Sequence, residues 1–131
     1  MEFNVGSTFE YPFEFSQEDI VLFAKVSGDH NPIHLDEDFA SQSRFGKRIA
    51  HGMFGASIIS KVMGMHFPGP GSVYLKQSLE FMRPMFAGEK YVVEVKVEEI
   101  DEKKRAKLST VIKDLTTKKV CTKGEAQILL A

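Results

Sequence analysis

The start of the chain alternates apolar and polar side chains with a period of two residues. The apolar positions are Phe9, Tyr11, Phe13 and Phe15. This is the period of a β-strand, whose successive side chains point to opposite faces. Pro12 lies within the segment and donates no backbone hydrogen bond, which places the strand at a sheet edge. We therefore predict an edge strand with one aromatic face.

The period becomes helical after Ser16. The apolar residues that recur at helical spacing are Ile20, Phe23 and Val26. Ser16 is followed three positions later by Asp19, as in a capping box at the start of a helix. Gly28 ends the pattern. A short amphipathic helix is predicted between Ser16 and Gly28.

The segment that follows this helix is interrupted by residues that break regular structure. Residues 28 to 34 read as a loop, because they contain Gly28 and the Asn31-Pro32 pair. A short helix is then predicted around residues 36 to 42.

A second, more apolar helix is expected in the middle of the chain. After a break at Gly46, it begins near Gly52 and is apolar nearly all round over residues 53 to 63. Its polar members are Ser57, Ser60 and Lys61, and it contains no Asp or Glu. Such a composition is typical of a helix buried in the middle of a domain.

The second half of the chain returns to the strand period. The alternating apolar sets are Leu75, Leu79 and Phe81, then Val93, Val95 and Val97, then Leu108, Thr110 and Ile112, and a last segment runs from residue 120 to 130. Short polar or Gly/Pro-marked breaks separate them, as in an antiparallel meander. One strand, helices and about four further strands predict an α+β fold, in which a long antiparallel sheet wraps the central apolar helix.

Composition narrows the classes of protein to which the chain can belong. Its 131 residues suit one domain, 1–131. The 17 basic residues nearly cancel the 18 acidic ones, so nucleic acid and anionic membrane surfaces are not expected partners. The single Cys121 cannot form an internal disulfide, and no run of ~18 apolar residues is present. These features favour a cytoplasmic protein that does not span a membrane.

The loop pair Asp29 and His34 is the first candidate for chemistry. The two residues lie five positions apart across a loop stiffened by Pro32, so their side chains could converge on one water. A carboxylate that takes a proton and an imidazole that holds the water or returns a proton would serve hydration or dehydration, a role worth ~10²- to 10⁴-fold. Asn31 could orient either group. The alternative is that Asp29 caps a neighbouring turn and His34 bonds to the backbone.

The same region also contains the spacing of a metal-ligand set. His30 and His34 lie four positions apart, with Asp29 and Asp36 nearby. Two such histidines bind a metal when they share one helix face, and Pro32 between them breaks that helix. We therefore expect no metal and no organic cofactor.

The start of the apolar helix is the second candidate. The Gly52 amide would be free there, and free amides at a helix N-terminus stabilise a developing oxyanion, by roughly 3 kcal/mol per donor. Gly52 and Ser60 share a helix side, so the Ser60 hydroxyl could support the same pocket. Alternatively, Gly52 serves helix packing and Ser60 bonds to the carbonyl four residues earlier. His51 is assigned no catalytic role.

Two blocks of the sequence resemble a known family. Residues 23–34 read FAKVSGDHNPIH, residues 45–53 read FGKRIAHGM, and the likeness continues through residues 71–75, 81–84 and 88–89. Together these blocks resemble the MaoC-like (R)-specific enoyl-CoA hydratases, which adopt the hot-dog fold. The likeness covers most of the chain, and no matching site position is substituted.

The resemblance implies a function and a role for each site residue. Asp29 and His34 match the dyad that activates water, the Gly52 amide matches the donor to the thioester oxygen, and Ser60 matches a supporting serine. The implied reaction is reversible syn addition of water to a trans-2-enoyl thioester of coenzyme A or acyl carrier protein, giving the (R)-3-hydroxyacyl product. It further implies a homodimer or higher homo-oligomer with the acyl tunnel at the subunit interface.

Two other functions fit the same fold. A hot-dog thioesterase commonly places a carboxylate on the central helix, and residues 53 to 63 contain none. A non-catalytic acyl-binding module would not need Asp29 or His34, and both are present. The hydratase is therefore the favoured interpretation.

Overall fold

One antiparallel sheet and one central helix organise the chain. The computed structural model describes residues 2–131. Its strands are β1 (Thr8–Glu14), β2 (Val73–Gln77), β3 (Glu80–Phe81), β4 (Lys90–Ile100), β5 (Arg105–Asp114) and β6 (Val120–Leu129), and its helices are α1 (Gln17–Ser27), α2 (Pro32–Leu35), α3 (Glu37–Ser41) and α4 (Gly52–Lys61). A π-helical segment, Val62–His66, continues α4.

The sheet has the order β1-β4-β5-β6-β2, with β3 pairing to β6. Strands β4, β5 and β6 form the expected antiparallel meander, and β1 pairs only with β4 at the edge, as Pro12 predicted. The predicted alternation is confirmed by the buried side chains of β4 and β5. These are Val93, Val95, Val97, Leu108, Thr110 and Ile112. The inward face of β4 and β5 is thus apolar apart from Thr110, whose hydroxyl accepts a hydrogen bond from Gln77 Nε2.

The predicted start and end of α1 are confirmed. The Ser16 hydroxyl accepts a hydrogen bond from the Asp19 amide and the Asp19 carboxylate accepts one from the Ser16 amide, which completes the capping box. Gly28 ends the helix in the left-handed region at φ 80°. Ile20 is fully buried, whereas Val26 is 87% exposed, so the buried face is narrower than the spacing of apolar residues predicted.

Helix α4 packs its inner face on the sheet. Gly55 lets the helix approach closely, because a Cβ there would collide with the Met85 side chain and contact Ile112. The buried residues that follow on the same face are Ile59, Val62 and Met63. The hot-dog arrangement of a sheet wrapped around a central helix is therefore confirmed. The expectation that this helix is buried nearly all round is wrong within one chain, since Met53 is 58% exposed.

Two further sequence predictions need correction. The segment 28–34 is not all loop, because Pro32 occupies the first position of the short helix α2, where its missing N–H costs nothing. The segment that contains Leu75, Leu79 and Phe81 is not one strand but two, β2 and β3, with a register shift in the pairing of β2 to β6. Five strands therefore follow α4, where about four were predicted.

Among the described residues, none of the helices has both the length and the hydropathy to cross a bilayer.

Candidate active site

The segment between α1 and α2 is held by side chain to main chain hydrogen bonds. Asp29 Oδ1 accepts a hydrogen bond from the Asn31 amide at 3.2 Å. Asn31 Oδ1 accepts one from the Ile33 amide at 3.1 Å and so caps α2. Asn31 therefore contacts both members of the pair through its main chain, because its amide donates to Asp29 Oδ1 and its carbonyl accepts from the His34 amide, while its side chain caps the turn that carries His34.

The His34 ring is fixed by one hydrogen bond to the backbone. His34 is 7% exposed, and its Nδ1 lies 2.8 Å from the Ile49 carbonyl oxygen. Because a carbonyl only accepts, Nδ1 carries the proton and donates it. In the neutral ring Nε2 is then left with a free lone pair. The main chain of the same residue is held as well, since Gln17 Nε2 donates to the His34 carbonyl at 2.8 Å.

The structure brings Asp29 and His34 together, as the sequence predicted. One carboxylate oxygen of Asp29 and one ring nitrogen from each of His34 and His51 all lie within 4.8 Å of one another. The bonds of the alternative interpretation are also present: Asp29 does cap a turn and His34 does bond to the backbone. Each group uses one atom for the fold and retains another, Asp29 Oδ2 and His34 Nε2, that can bind a water.

Burial controls the protonation of His34. Loss of solvent lowers the pKa of its ring below the ordinary value of 6.5, and the nearby His51 acts in the same direction. The bond to the Ile49 carbonyl and the charge of Asp29 oppose this shift of the pKa. The lowered pKa favours the neutral ring, whose free Nε2 accepts a proton.

His51 is the residue that sequence reasoning missed. Its ring stacks on that of His34 with 3.8 Å between centroids, and its Nε2 donates to the Asp29 carbonyl at 3.0 Å. It lies 22 positions from Asp29 in the chain, so no local spacing could have connected the two. The only signal was its place directly before Gly52.

The ligand atoms of Asp29, His34 and His51 lie close enough together to be considered for a metal ion, but the stacking of the two rings disfavours one. The two imidazole planes are stacked at only 26° to each other, so their in-plane lone pairs run nearly side by side. Ligand nitrogens must point at one ion to bind it. His34 Nδ1 and His51 Nε2 are engaged with carbonyls, which leaves one nitrogen on each ring, His34 Nε2 and His51 Nδ1. His30, which the metal hypothesis used, is not part of this cluster.

Gly52 occupies the first position of α4, as predicted. Its amide can have no acceptor within its own helix, and it makes no other hydrogen bond within residues 2–131. Gly52 lines a cavity of about 380 Å³ together with Phe81 and Met53. Gly52 directly follows His51 in the sequence. The Gly52 amide is therefore adjacent along the chain to the residue whose ring stacks on His34.

Ser60 lies elsewhere in the single chain. It lines a second cavity of about 530 Å³ with Ala56, Tyr74 and Leu75. Ser60 is two turns from Gly52, about 12 Å along the helix axis, and Met53 is the residue that borders both cavities. The structure therefore does not bring Ser60 into the pocket of Gly52. The bond of the alternative interpretation, from Ser60 to the carbonyl four residues earlier, is not found within residues 2–131 either.

Comparison with known proteins places these features in a family. The family of the MaoC like domain matches residues 4–119. The 3-hydroxybutyryl-CoA dehydratase of Methylorubrum extorquens is 48% identical over 111 residues, which cover 82% of this chain and 69% of that protein. The (R)-specific enoyl-CoA hydratase of Rhodospirillum rubrum is 41% identical over 116 residues, which cover 88% and 79%.

Solved structures agree. The (R)-hydratase from A. caviae, involved in PHA biosynthesis, superposes with a TM-score of 0.93 at 38% identity and covers 98% of this chain and 97% of its own. The matched segment of the family contains Asp29, His34, His51 and Gly52. The chain therefore belongs to the MaoC-like domain family and has its hot-dog fold.

Proposed function

We propose that this protein is a hydro-lyase that adds water reversibly to a trans-2-enoyl thioester and forms the (R)-3-hydroxyacyl product. The observation that carries the proposal is the pairing of Asp29 and His34 within 4.8 Å, each with one atom fixed by the backbone and one atom free. The names of two relatives, an enoyl-CoA hydratase and a 3-hydroxybutyryl-CoA dehydratase, describe the two directions of such a reaction.

The tautomer of His34 suggests how the water is used. A water between the two groups donates one hydrogen bond to Asp29 Oδ2 and one to His34 Nε2, because both atoms are acceptors. As the water oxygen bonds to Cβ, one proton passes to Nε2 and the π electrons move to the thioester oxygen. This assigns proton removal to the imidazole, whereas the sequence analysis assigned it to the carboxylate. Asp29 orients the water and stabilises the imidazolium.

The same imidazolium completes the reaction. When the enolate electrons return to Cα, Nε2 releases its proton to that carbon, so one water is consumed and the catalyst is regenerated. The oxygen and the proton arrive from one side of the double bond, which is syn addition. In the dehydration direction, Nε2 first removes the Cα proton and then protonates the leaving hydroxyl.

The Gly52 amide is the proposed donor to the thioester oxygen. Negative charge develops on that oxygen during attack at Cβ, and a free amide at the first turn of α4 stabilises it. Removal of one such donor typically costs ~10²- to 10³-fold in kcat. The adjacent cavity, lined largely by apolar side chains such as Met85 and Phe81, would exclude competing water.

Ser60 and the second cavity are proposed to receive the acyl group. Leu75, Leu79 and Phe23 line that cavity, and their apolar surface suits a hydrocarbon chain. Either coenzyme A or acyl carrier protein would deliver the thioester. In this proposal Ser60 supports the reaction by contacting the substrate, and it does not contact Asp29 or His34.

We also propose that the active form is a homodimer or a higher homo-oligomer. Strand β2 ends the sheet order and has no further strand beside it among residues 2–131. Val73 and Leu75 on β2 and Phe81 on β3 are exposed apolar residues at this edge. An exposed apolar edge strand is a liability unless it is covered, and a second copy of the sheet would cover it.

The proposed reaction uses no metal and no organic cofactor, because proton transfer by His34 and the Gly52 amide supplies all of its steps. A reducing cytoplasm is the proposed location. The buried free thiol of Cys121 suits that compartment.

The experiment that tests the function follows the absorbance of the conjugated enoyl thioester with a short trans-2-enoyl-CoA. The wild-type protein should remove this band, and Asp29→Asn and His34→Ala should each abolish the reaction while the protein stays folded. Asp38→Asn on α3 and His30→Ala are matched controls, since both residues are exposed and neither belongs to the cluster. Near-normal turnover of either dyad variant would refute the mechanism.

A parallel assay separates hydration from hydrolysis. Release of free thiol from a saturated acyl-CoA would be measured with the same protein. We expect none above background, since α4 contains no carboxylate. A fast release that persists in Asp29→Asn would identify a thioesterase, and binding without either reaction would identify an acyl-binding module.

A further inference from the structure

His51 contacts both members of the dyad and is more deeply buried than either. It is 2% exposed and immediately precedes α4. A helix N-cap usually contributes a side-chain acceptor to the first turn, but the His51 side chain makes no such bond. Its two ring contacts are instead directed at the catalytic loop.

The first contact fixes the main chain of Asp29. His51 Nε2 donates to the Asp29 carbonyl at 3.0 Å. The Asp29 side chain cannot move independently of that main chain, because its Oδ1 accepts from the amide only two residues ahead. The donor on His51 therefore sets the direction of the remaining oxygen, Oδ2.

The second contact fixes the plane of the His34 ring. The two rings stack at 3.8 Å, and the hydrogen bond from His34 Nδ1 still allows the ring to tilt about that bond. Phe23 lies 4.8 Å from His51, and it stacks in turn on Phe54 at 4.7 Å. This column of rings continues to the buried Phe15. Packing in the core therefore restricts the motion of the His51 ring and, through the stack, that of the His34 ring.

The remaining nitrogen of His51 indicates why the residue is a histidine. Nδ1 is buried and has no hydrogen-bond partner within residues 2–131. A buried polar atom without a partner destabilises the fold and calls for an explanation. A phenylalanine would fill the same space without this penalty if stacking were the only requirement. The donor at Nε2 is thus the feature that phenylalanine could not replace.

We propose that His51 is a positioning residue of the dyad, which holds the Asp29 main chain through its Nε2–H and the His34 ring through its face. The proposal rests on the hydratase function proposed above. It predicts a loss of turnover with little loss of substrate binding when the Nε2–H is removed, because the atoms that hold the water would be misplaced.

Two variants separate the donor from the ring. His51→Phe keeps the stack and removes the donor, whereas His51→Gln keeps an N–H near the position of Nε2 and removes the ring. His66→Phe is the matched control, because His66 also has a buried nitrogen without a partner and also stacks on aromatic rings, those of Phe9 and Tyr11.

The kinetic result should be specific to His51. We expect His51→Phe to lower kcat by roughly 10- to 100-fold with KM changed less than about twofold, since small misplacements of reacting groups have effects of this size. His51→Gln should retain more of the wild-type kcat than His51→Phe, and His66→Phe should resemble the wild type. The proposal is overturned if kcat of His51→Phe stays within about twofold of the wild type, if the glutamine variant loses as much as the phenylalanine variant, or if His66→Phe loses as much as either.

Nitrogen NMR of the imidazole rings gives a readout that does not depend on turnover. In the wild type, His34 should show a proton on Nδ1 and none on Nε2, and His51 the reverse. In His51→Gln, which removes the stacked ring, the His34 ring should show a mixture of tautomers, and unchanged His34 signals in that variant would overturn the ring-holding role. If the wild-type protein has no hydratase activity, the proposed function fails, while these spectra still decide whether His51 positions the loop.

Discussion

His34 donates its Nδ1–H to the Ile49 carbonyl, and this bond determines what its other nitrogen can do. A neutral ring with a proton on Nδ1 must present a lone pair at Nε2. Asp29 behaves in the same way, since one oxygen caps the turn and the other is left for water. At this scale a structural hydrogen bond and the proposed catalytic role are compatible, because the bond occupies one atom of each side chain and leaves the other available for water.

The lowered pKa of His34 leads to a prediction about pH. Burial lowers this pKa below 6.5, so the unfolded chain takes up a proton at a higher pH than the folded protein does. Between the two pKa values the unfolded state binds more protons, and the free energy of unfolding must fall as the pH falls. Above 6.5 this contribution is fully present.

Activity should follow the same group. The hydration rate, kcat/KM, should be constant above 6.5 and decline only as the pH falls through the lower pKa of folded His34, because protonation removes the Nε2 lone pair. The first measurement is kcat/KM of the wild type over a pH series. The second is the free energy of unfolding of the wild type and His34→Ala, from urea denaturation over the same series. The contribution of His34 to the free energy of unfolding should not increase as the pH is lowered from 6.5. Such an increase would contradict this account.

The Gly52 amide can be removed with little disturbance of α4. Proline is favoured at the first position of a helix, and His51 already has the extended backbone, φ −61° and ψ 134°, that a following proline requires. Gly52→Ala is the control, because it also adds a Cβ, 2.8 Å from the Phe81 ring, but keeps the N–H. Relative to Gly52→Ala, Gly52→Pro should lower kcat by ~10²- to 10³-fold. Equal turnover of the two variants would exclude Gly52 as the oxyanion donor.

The site residues differ in how far the sequence could predict them. Asp29, His34 and Gly52 lie at breaks of the hydrophobic pattern, where polar residues and the start of a helix can be recognised in the sequence. His51 could not be predicted, because its place beside the dyad depends on a contact across 22 positions and on ring stacking. The periodicity of apolar residues in a sequence records neither. The helical spacing predicted that Ser60 shares a helix side with Ala56, and both line the same cavity. Gly52 lies too far away along the helix axis to line it.

At the level of elements, local chemistry predicted most boundaries. The capping box at Ser16 and the left-handed Gly28 delimit α1, and the alternation of valines locates β4 but not its ends, Lys90 and Ile100. Helix α2 was missed because the Asn31-Pro32 pair was taken as a break, although the same pair is an N-cap followed by a proline at the first helical position. The division between β2 and β3 was missed because it coincides with a tertiary contact, which no local pattern in the sequence records.

That contact involves Gly124 on β6. A Cβ at this position would lie only 1.8 Å from the Ser78 carbonyl oxygen, which belongs to the backbone between β2 and β3. Gly124→Ala should therefore shift one of the two backbones and destabilise the protein by about 3 kcal/mol, as overpacking does. Gly64→Ala is the control, since a Cβ there meets nothing within 4 Å. Equal denaturation midpoints of the two variants would contradict this packing.

Several large apolar side chains are exposed on β2, β3 and α4 within one copy of the chain, among them Val73, Phe81 and Met53. Met53 on α4 is exposed, although the nearly all-round apolar composition of this helix predicted that it is buried in the middle of the domain. The discrepancy is explained if a second copy of the chain covers the edge formed by β2 and β3. The apolar side chains of α4 that are exposed in one copy would then be buried in the assembly.

This explanation predicts a dimer or larger oligomer in solution. Val73→Lys places a charge on β2, at the edge of the sheet, and should convert the assembly to monomers, since edge lysines oppose strand association. Val5→Lys is the control, because Val5 is also exposed but precedes β1. Light scattering coupled to size exclusion measures the mass. A wild-type monomer, or a Val73→Lys variant that associates as tightly as the wild type, would contradict the proposed interface.

The central claim is that Asp29 and His34 act as a unit on one water. The most direct measurement is kcat for hydration of a short trans-2-enoyl-CoA by the wild type, Asp29→Asn, His34→Ala and the double variant. Asn at position 29 keeps the acceptor for the Asn31 amide, so the loop is retained. Groups that act together are strongly non-additive, and the account predicts that the double variant is no slower than the slower single one. Losses that multiply, or near-normal turnover of either single variant, would contradict it.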